Sequence, residues 1–359
     1  METIAAIMAV FSLLGAADRM LGNRFGLGEE FEKGFQLLGS LALAMLGMLV
    51  MSPLIAEWIN PAAQAIYQAL GIDPSLLPTI LLANDLGGGA LARQMAVDTE
   101  LGRFNGLVVS SMMGGTISFT IPYVLDNVDK KQHEPLLLGL LCGVVTIPLG
   151  CLVAGVVMGV PFGALLGNLL PLLLVSIIIG LGLVFFPGAC TRIFRWLGVL
   201  IKLLITVGLA LGILRFLTGI ELVKGLGTLE DAFAIVFNCA VVLSGAFPML
   251  HLIKLALGKG LARFGEKIGV NDVSAMGLLS TLAASQPTYE MMARMDKKGV
   301  MLNGAFSVSA AFVFADHLAF TLAFDPGYLP GVIVGKLVAG VTSVIAANIV
   351  WRLTAKRSA

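Results

Sequence analysis

Charge is what this chain has least of. Only 13% of its 359 residues are Asp, Glu, Lys or Arg, against about 25% in ordinary soluble domains. A water-facing surface for a fold of this size cannot be made from so few, because even a large domain keeps much of its surface exposed. Histidine is limited to three residues and cysteine to four, Cys142, Cys151, Cys190 and Cys239. No CxxC spacing or Cys/His cluster occurs, so neither a zinc site nor a disulfide framework is indicated; no metal or cofactor is expected. No phosphate-cradling P-loop is visible. The formal net charge of +1 gives no reason to expect a nucleic-acid partner. The first residues, METIAAIMAVFSLLGAADRM, lack the basic stretch that precedes the apolar run of a signal peptide, so they read as a retained span.

What the chain has instead is apolar length. Hydrophobic residues make up 58% of it and the mean hydropathy is +0.95. The solvent is lipid, and the class is an all-α polytopic membrane protein. A spanning helix needs roughly 20 apolar residues. Nine segments qualify: 3–20, 35–57, 104–125, 135–159, 163–186, 196–218, 230–256, 300–324 and 328–352. The glycine total of 43 includes GxxxG spacings at Gly139/Gly143, Gly163/Gly167 and Gly208/Gly212, which predict close helix packing.

Two further apolar segments, 75–97 and 272–296, are interrupted near the middle, by Asn84-Asp85 with Gly87 to Gly89 and by Ser285-Gln286-Pro287. Each half is too short to cross. Cytoplasmic loops hold the excess of Lys and Arg, and this bias chooses between crossing and returning. If both segments return as re-entrant hairpins and the N-terminus is outside, 17 basic residues lie inside and 3 outside; if both cross, the division is 12 to 8. The re-entrant arrangement predicts nine crossings, N-terminus out and C-terminus in.

The chain also reads as duplicated. RFNGLVVSS (103–111) and MLNGAFSVS (301–309) align at an offset of 198 residues, and each follows a broken segment ending in a basic residue. The expected division is a first repeat over 1–162, a linker helix over 163–195 and a second, inverted repeat over 196–359. Inverted repeats with paired broken helices mark secondary transporters, whose site lies near the midplane, because non-helical backbone at that depth must line a cavity or be buried in protein.

Ionisable side chains at membrane depth are functional candidates by default. They are Asp85 at the first break, Glu290 just past the second, Asp316 and His317 in span 300–324, and Lys336 in the last span. The set leans acidic, which suits a cation. Carbonyls near Leu82 and Ala83, at the negative pole of a half-helix, would add to this. Asn84, Ser285, Gln286, Thr288 and Tyr289 can bond a hydroxyl or an ammonium, and Phe119 and Tyr123 could stack on one. Each has a structural alternative: Asp85 as a helix cap, Asp316 as an ion-pair partner of Lys336, His317 as a bonded interior residue, and the aromatics as packing.

FEKGFQLLGSLALAMLGM, LLANDLGGGALAR, SSMMGGTISFTIP, GVVTIPLGC and AFVFADHLAF with LPGVIVGKLVAG together resemble the ethanolamine-utilisation permease family, EutH, over residues 5 to 350 or so. The resemblance is specific in the Asp-x-Gly-Gly break, the Thr-Ile-Pro-x-Gly-Cys span and the Asp-His-Leu stretch. It implies a permease of the bacterial inner membrane whose substrate is ethanolamine, a small ammonium with one hydroxyl. A carboxylate can take the ammonium by a charge-assisted bond, with Asp85 first and Asp316 and Glu290 next, and Asn84, Ser285 or Gln286 the hydroxyl. Alternating access is the expected motion, and a homo-oligomer is an open possibility. Three other readings stay open: a proton- or sodium-coupled symporter, for which Asp316-His317 would suit a relay; a channel-like facilitator; and an intramembrane aspartyl enzyme. The last is disfavoured because Phe314 stands where such a site needs a glycine two residues before its second aspartate.

Overall fold

Every described element of the chain is helical, in a computed structural model that describes residues 2–357, with side chains for 4–256 and 265–354. The basic side chains of Lys259, Arg263, Lys356 and Arg357, counted above on the inner side, lie outside the described ones. In order the chain forms α1 (Glu2–Met20), α2 (Leu27–Gln36) and α3 (Leu38–Leu70). The first broken segment follows, with α4 (Leu76–Leu81), a wide turn over Asn84–Gly88 and α5 (Gly89–Met95). Next, α6 (Thr99–Phe104) continues through π-helical turns at Asn105–Gly114 and Thr116–Thr120 into α7 (Ile121–Asn127). Helices α8 (His133–Val157), α9 (Phe162–Phe185), α10 (Pro187–Thr218) and α11 (Leu229–Ile268) come next. The second broken segment is α12 (Asp272–Ala283) and α13 (Gln286–Met291). The chain ends with α14 (Lys297–Ala310), α15 (Asp316–Phe324) and α16 (Leu329–Arg357).

Seven helical stretches among the described residues are long and apolar enough to cross a membrane: Leu27–Leu70, Thr99–Asn127, Lys130–Val157, Phe162–Phe185, Pro187–Thr218, Leu229–Ala256 and Pro326–Thr354. The protein is an all-α polytopic membrane protein. Its outer faces carry what lipid demands: Leu170, Leu174, Ile178 and Phe185 on α9 and Leu200, Leu203 and Leu217 on α10 are exposed. The two remaining predicted spans are α1 and segment 300–324. The structure breaks the latter at Ala311–Ala315, between α14 and α15.

Two of the three GxxxG pairs seat helices tightly. A Cβ on Gly208 would lie 2.1 Å from the Gly47 carbonyl of α3, and one on Gly139 2.2 Å from the Met301 carbonyl of α14; Gly163 and Gly167 face open space. The α1–α2 corner is tied by Asp18, whose carboxylate accepts from the amides of Phe25, Leu27 and Gly28. Those amides belong to the α2 N-terminus, where Gly26 offers no capping side chain.

Both broken segments fold back on themselves. The Asp73 carboxylate, just before α4, accepts from the amides of Val97 (3.2 Å) and Asp98 (2.9 Å), just after α5. Before α12, the Asn271 amide donates to Asp296 (2.6 Å) and its side chain to the Arg294 carbonyl (3.0 Å). Start and end of each segment therefore lie close together. Asp98 and Asp296, which stand 198 positions apart, each also cap the next helix, Asp98 accepting from Glu100 and Leu101 and Asp296 from Gly299.

Candidate functional site

The first break lies slightly earlier than its polar residues suggest. Helix α4 ends at Leu81, and Leu82 and Ala83 are extended. Gly87 then takes φ 97°, and a Cβ there would stand 2.3 Å from Met48 Cγ; both facts call for glycine. The carbonyls expected to face a cation are already in use: Leu82 O accepts from the Ser110 hydroxyl, and Ala83 O from the amides of Leu86 (3.1 Å) and Gly88 (2.9 Å). What the break leaves free is side chain. Both amide atoms of Asn84 and Oδ1 of Asp85 are buried without a hydrogen-bond partner. Buried polar atoms are nearly always bonded, to protein, ordered water or a ligand, so this cluster is a candidate place for a ligand.

The second break repeats the pattern with different chemistry. Ala284 is extended, and Ser285 Oγ, Gln286 Oε1 and Tyr289 Oη are buried and unpartnered. Thr288 is satisfied, by Thr281 (2.9 Å) and the Gly277 carbonyl (3.0 Å). The carbonyls ending α12 are taken by a third break, which falls inside the predicted span 300–324. Phe312 N donates to Thr281 O (3.2 Å) and Phe314 N to Leu282 O (3.1 Å). Phe312 sits at φ 61°, a conformation costing a non-glycine residue about 1–3 kcal/mol. Beyond this unwound stretch α15 starts with Asp316 and His317 in its first turn, where the helix dipole favours a carboxylate.

The three breaks meet at one cavity of about 270 Å³. Asp85, Gln286, Asp316, His317 and Lys336 line it, with Ser111, Thr120, Phe119 and Phe312. Asp85 and Asp316 are half-buried and His317 is buried with Nδ1 unpartnered. Asn84, Ser285 and Tyr289 are buried but do not form its wall. Glu290, expected beside them, is exposed and off the cavity. Lys336 bonds the Ser111 carbonyl at 2.8 Å rather than pairing with Asp316. A file of rings runs from the wall: His317, Phe312, Phe119, Tyr123 and Tyr289, with successive centroids 5.5 to 5.6 Å apart. Sequence reasoning missed Ser111, Thr120 and Phe312 as wall residues. Only Ser111 carried a signal, its match to Ser309 across the duplication.

Just past the first break α5 approaches α15. A Cβ on Gly89 would stand 2.9 Å from the Phe320 ring. Arg93 lies over Phe324 at 5.5 Å. Arg103 forks onto Asp325 (2.6 and 3.0 Å) and covers the Tyr328 ring at 4.8 Å. Leu37 and Ser40, where α2 passes into α3, also line the cavity, and Ser40 is exposed.

The family model described as "Ethanolamine utilisation protein, EutH" matches residues 1–350. A "Probable ethanolamine permease EutH" of Listeria monocytogenes is 43% identical over 343 residues, covering 96% of this chain and 92% of that protein. A protein of the same description from Salmonella typhimurium is 37% identical over 387 residues, 97% of this chain and 95% of its own. "Uncharacterized protein YxeR" of Bacillus subtilis is 36% identical over 346 residues, 96% and 94% of the two chains. No solved structure matches the chain. The chain belongs to the EutH family of ethanolamine utilisation proteins.

Proposed function

We propose that this protein is a permease, not an enzyme, that carries ethanolamine as its ammonium across the bacterial inner membrane by alternating access. The observation that carries the proposal is the convergence of unbonded polar atoms from both broken segments, Asn84 and Asp85 with Ser285 and Gln286, on or beside a cavity walled by Asp316 and His317. A carboxylate takes the ammonium by a charge-assisted bond, Asp85 first and Asp316 next. Gln286 on the wall takes the hydroxyl, with Asn84 and Ser285 behind it. Phe119 offers a π face to the ammonium. The relatives described as probable ethanolamine permeases support the substrate.

In this reading the chain crosses nine times, N-terminus outside and C-terminus inside, as two inverted repeats over 1–162 and 196–359 joined by 163–195. The broken segments are re-entrant hairpins, 75–97 from outside and 272–296 from inside. Contacts between loops agree with this division. Arg103 pairs with Asp325 among loops assigned outside, and Arg195 with Asp126 and His251 with Glu30 among those assigned inside. The seam of Gly89, Arg93, Phe320 and Phe324 is then a closed outer gate, and the cavity's margin at Ser40 lies toward the cytoplasm.

Uptake of radiolabelled ethanolamine into proteoliposomes tests the proposal. It is expected to saturate and to be driven by an inside-negative potential at about 2.3 kcal/mol per 100 mV for one charge, roughly a fifty-fold accumulation. Uptake no faster than into protein-free vesicles overturns it. Uptake needing a proton or sodium gradient would move the reading to a symporter.

A further inference from the structure

A lysine in the wall of a cation site works against the cation, and Lys336 is such a lysine. It is 1% exposed, donates to the Ser111 carbonyl at 2.8 Å, and makes no direct ion pair among the described residues. The other ionisable groups on the wall are Asp85, Asp316 and His317. With His317 neutral and the rest ionised, the wall carries one negative charge in excess. The excess is indifferent to where the proton sits: passing it from Lys336 to either carboxylate leaves the sum unchanged. One monovalent ammonium therefore neutralises the cavity, whereas a dication would leave a buried positive charge uncompensated, which is strongly unfavourable. Size does not make this distinction. The cavity of about 270 Å³ is roomy for a small amino alcohol and would admit a diamine of similar length.

We infer that Lys336 sets the valence of the substrate: it holds the excess charge of the cavity at one, so that the site takes monovalent amines and rejects diamines. This rests on reading the cavity as the transport site, and names the substrate class that the site selects.

The test is competition against ethanolamine uptake in proteoliposomes by two competitors of matched length, aminobutanol (a monocation) and putrescine (a dication). In the native protein aminobutanol should compete much better than putrescine. Lys336→Met should shift the ratio of their inhibition constants toward putrescine by roughly tenfold or more, the effect of removing one unit charge near a cation at an effective dielectric of about 20. Lys336→Arg, which keeps the charge, should keep the discrimination. Asp316→Asn, a milder change that leaves the wall with no excess charge, should weaken both amines and reject putrescine at least as strongly as the native protein. A Lys336→Met protein with the native ratio overturns the inference, as does a Lys336→Arg protein that accepts putrescine or an Asp316→Asn protein that takes it better than native. Failure of the native protein to take up ethanolamine at all would instead overturn the permease reading, and is seen before any competitor is added.

Discussion

Replacing Asp85 by Asn separates a binding role from a structural one, because the two predict opposite changes in stability. Asp85 Oδ1 is buried without a hydrogen-bond partner, and no side chain caps the Asn84–Gly88 turn in which Asp85 stands. A carboxylate in that position is held at a cost of desolvation, so Asp85→Asn should leave the ligand-free protein as stable as before, or more so. Binding should suffer. At a ceiling of about 1.5 kcal/mol per non-hydrogen atom for very small ligands, ethanolamine gains at most about 6 kcal/mol, a Kd no tighter than roughly 40 μM. A hydrogen bond to a charged group accounts for about 1.5–3 kcal/mol. Losing it from so small a total weakens binding roughly 10- to 150-fold, into the millimolar range. The assay is the initial rate of radiolabelled uptake against concentration, with thermal unfolding of the same detergent-solubilised protein. A native KM with native stability removes Asp85 from the site. A fall in thermal midpoint with unchanged KM would make it a structural residue of the break.

Four further outcomes follow from other contacts. Ser110→Ala deprives the Leu82 carbonyl of its donor at the first break; it should cost about 1–3 kcal/mol of stability, read by thermal unfolding, and a neutral result would mean the break is held by the backbone alone. Gly87→Ala adds a Cβ at φ 97° and 2.3 Å from Met48 Cγ, so it should reduce folded yield in a fluorescence-detected gel-filtration assay, whereas Gly167→Ala, facing open space, should not. Arg103→Gln removes the fork onto Asp325; if that fork holds the outer gate, a cysteine placed at Ala96 should become more reactive to an impermeant thiol reagent, and unchanged reactivity argues against the gate. For the topology, a cysteine at Lys224 should label from outside intact cells and one at Lys297 only after permeabilisation; the reverse pattern inverts the protein.

The residues differ in how openly the sequence declares them. Asn84-Asp85 and Ser285-Gln286-Pro287 interrupt apolar runs, so their segments could be singled out without any partner in view. The third break could not. Ala311 to Ala315 reads as ordinary apolar helix, with neither glycine nor proline, and it unwinds because the amides of Phe312 and Phe314 find the carbonyls of Thr281 and Leu282, some thirty residues upstream. Glu290 shows the opposite failure. It is polar and next to a break, but the turn of α13 aims it outward.

Composition alone, then, set the solvent, the all-helical class and the two places where helices must stop, because lipid tolerates no unbonded backbone and few charges. Tertiary packing decided which of those polar groups share a cavity. Lys336 reaches Ser111 across 225 residues, and Asp316 faces the site because a distant helix end unwinds the chain before it. Such pairings depend on helices meeting in space, which neither hydropathy nor spacing along the chain encodes.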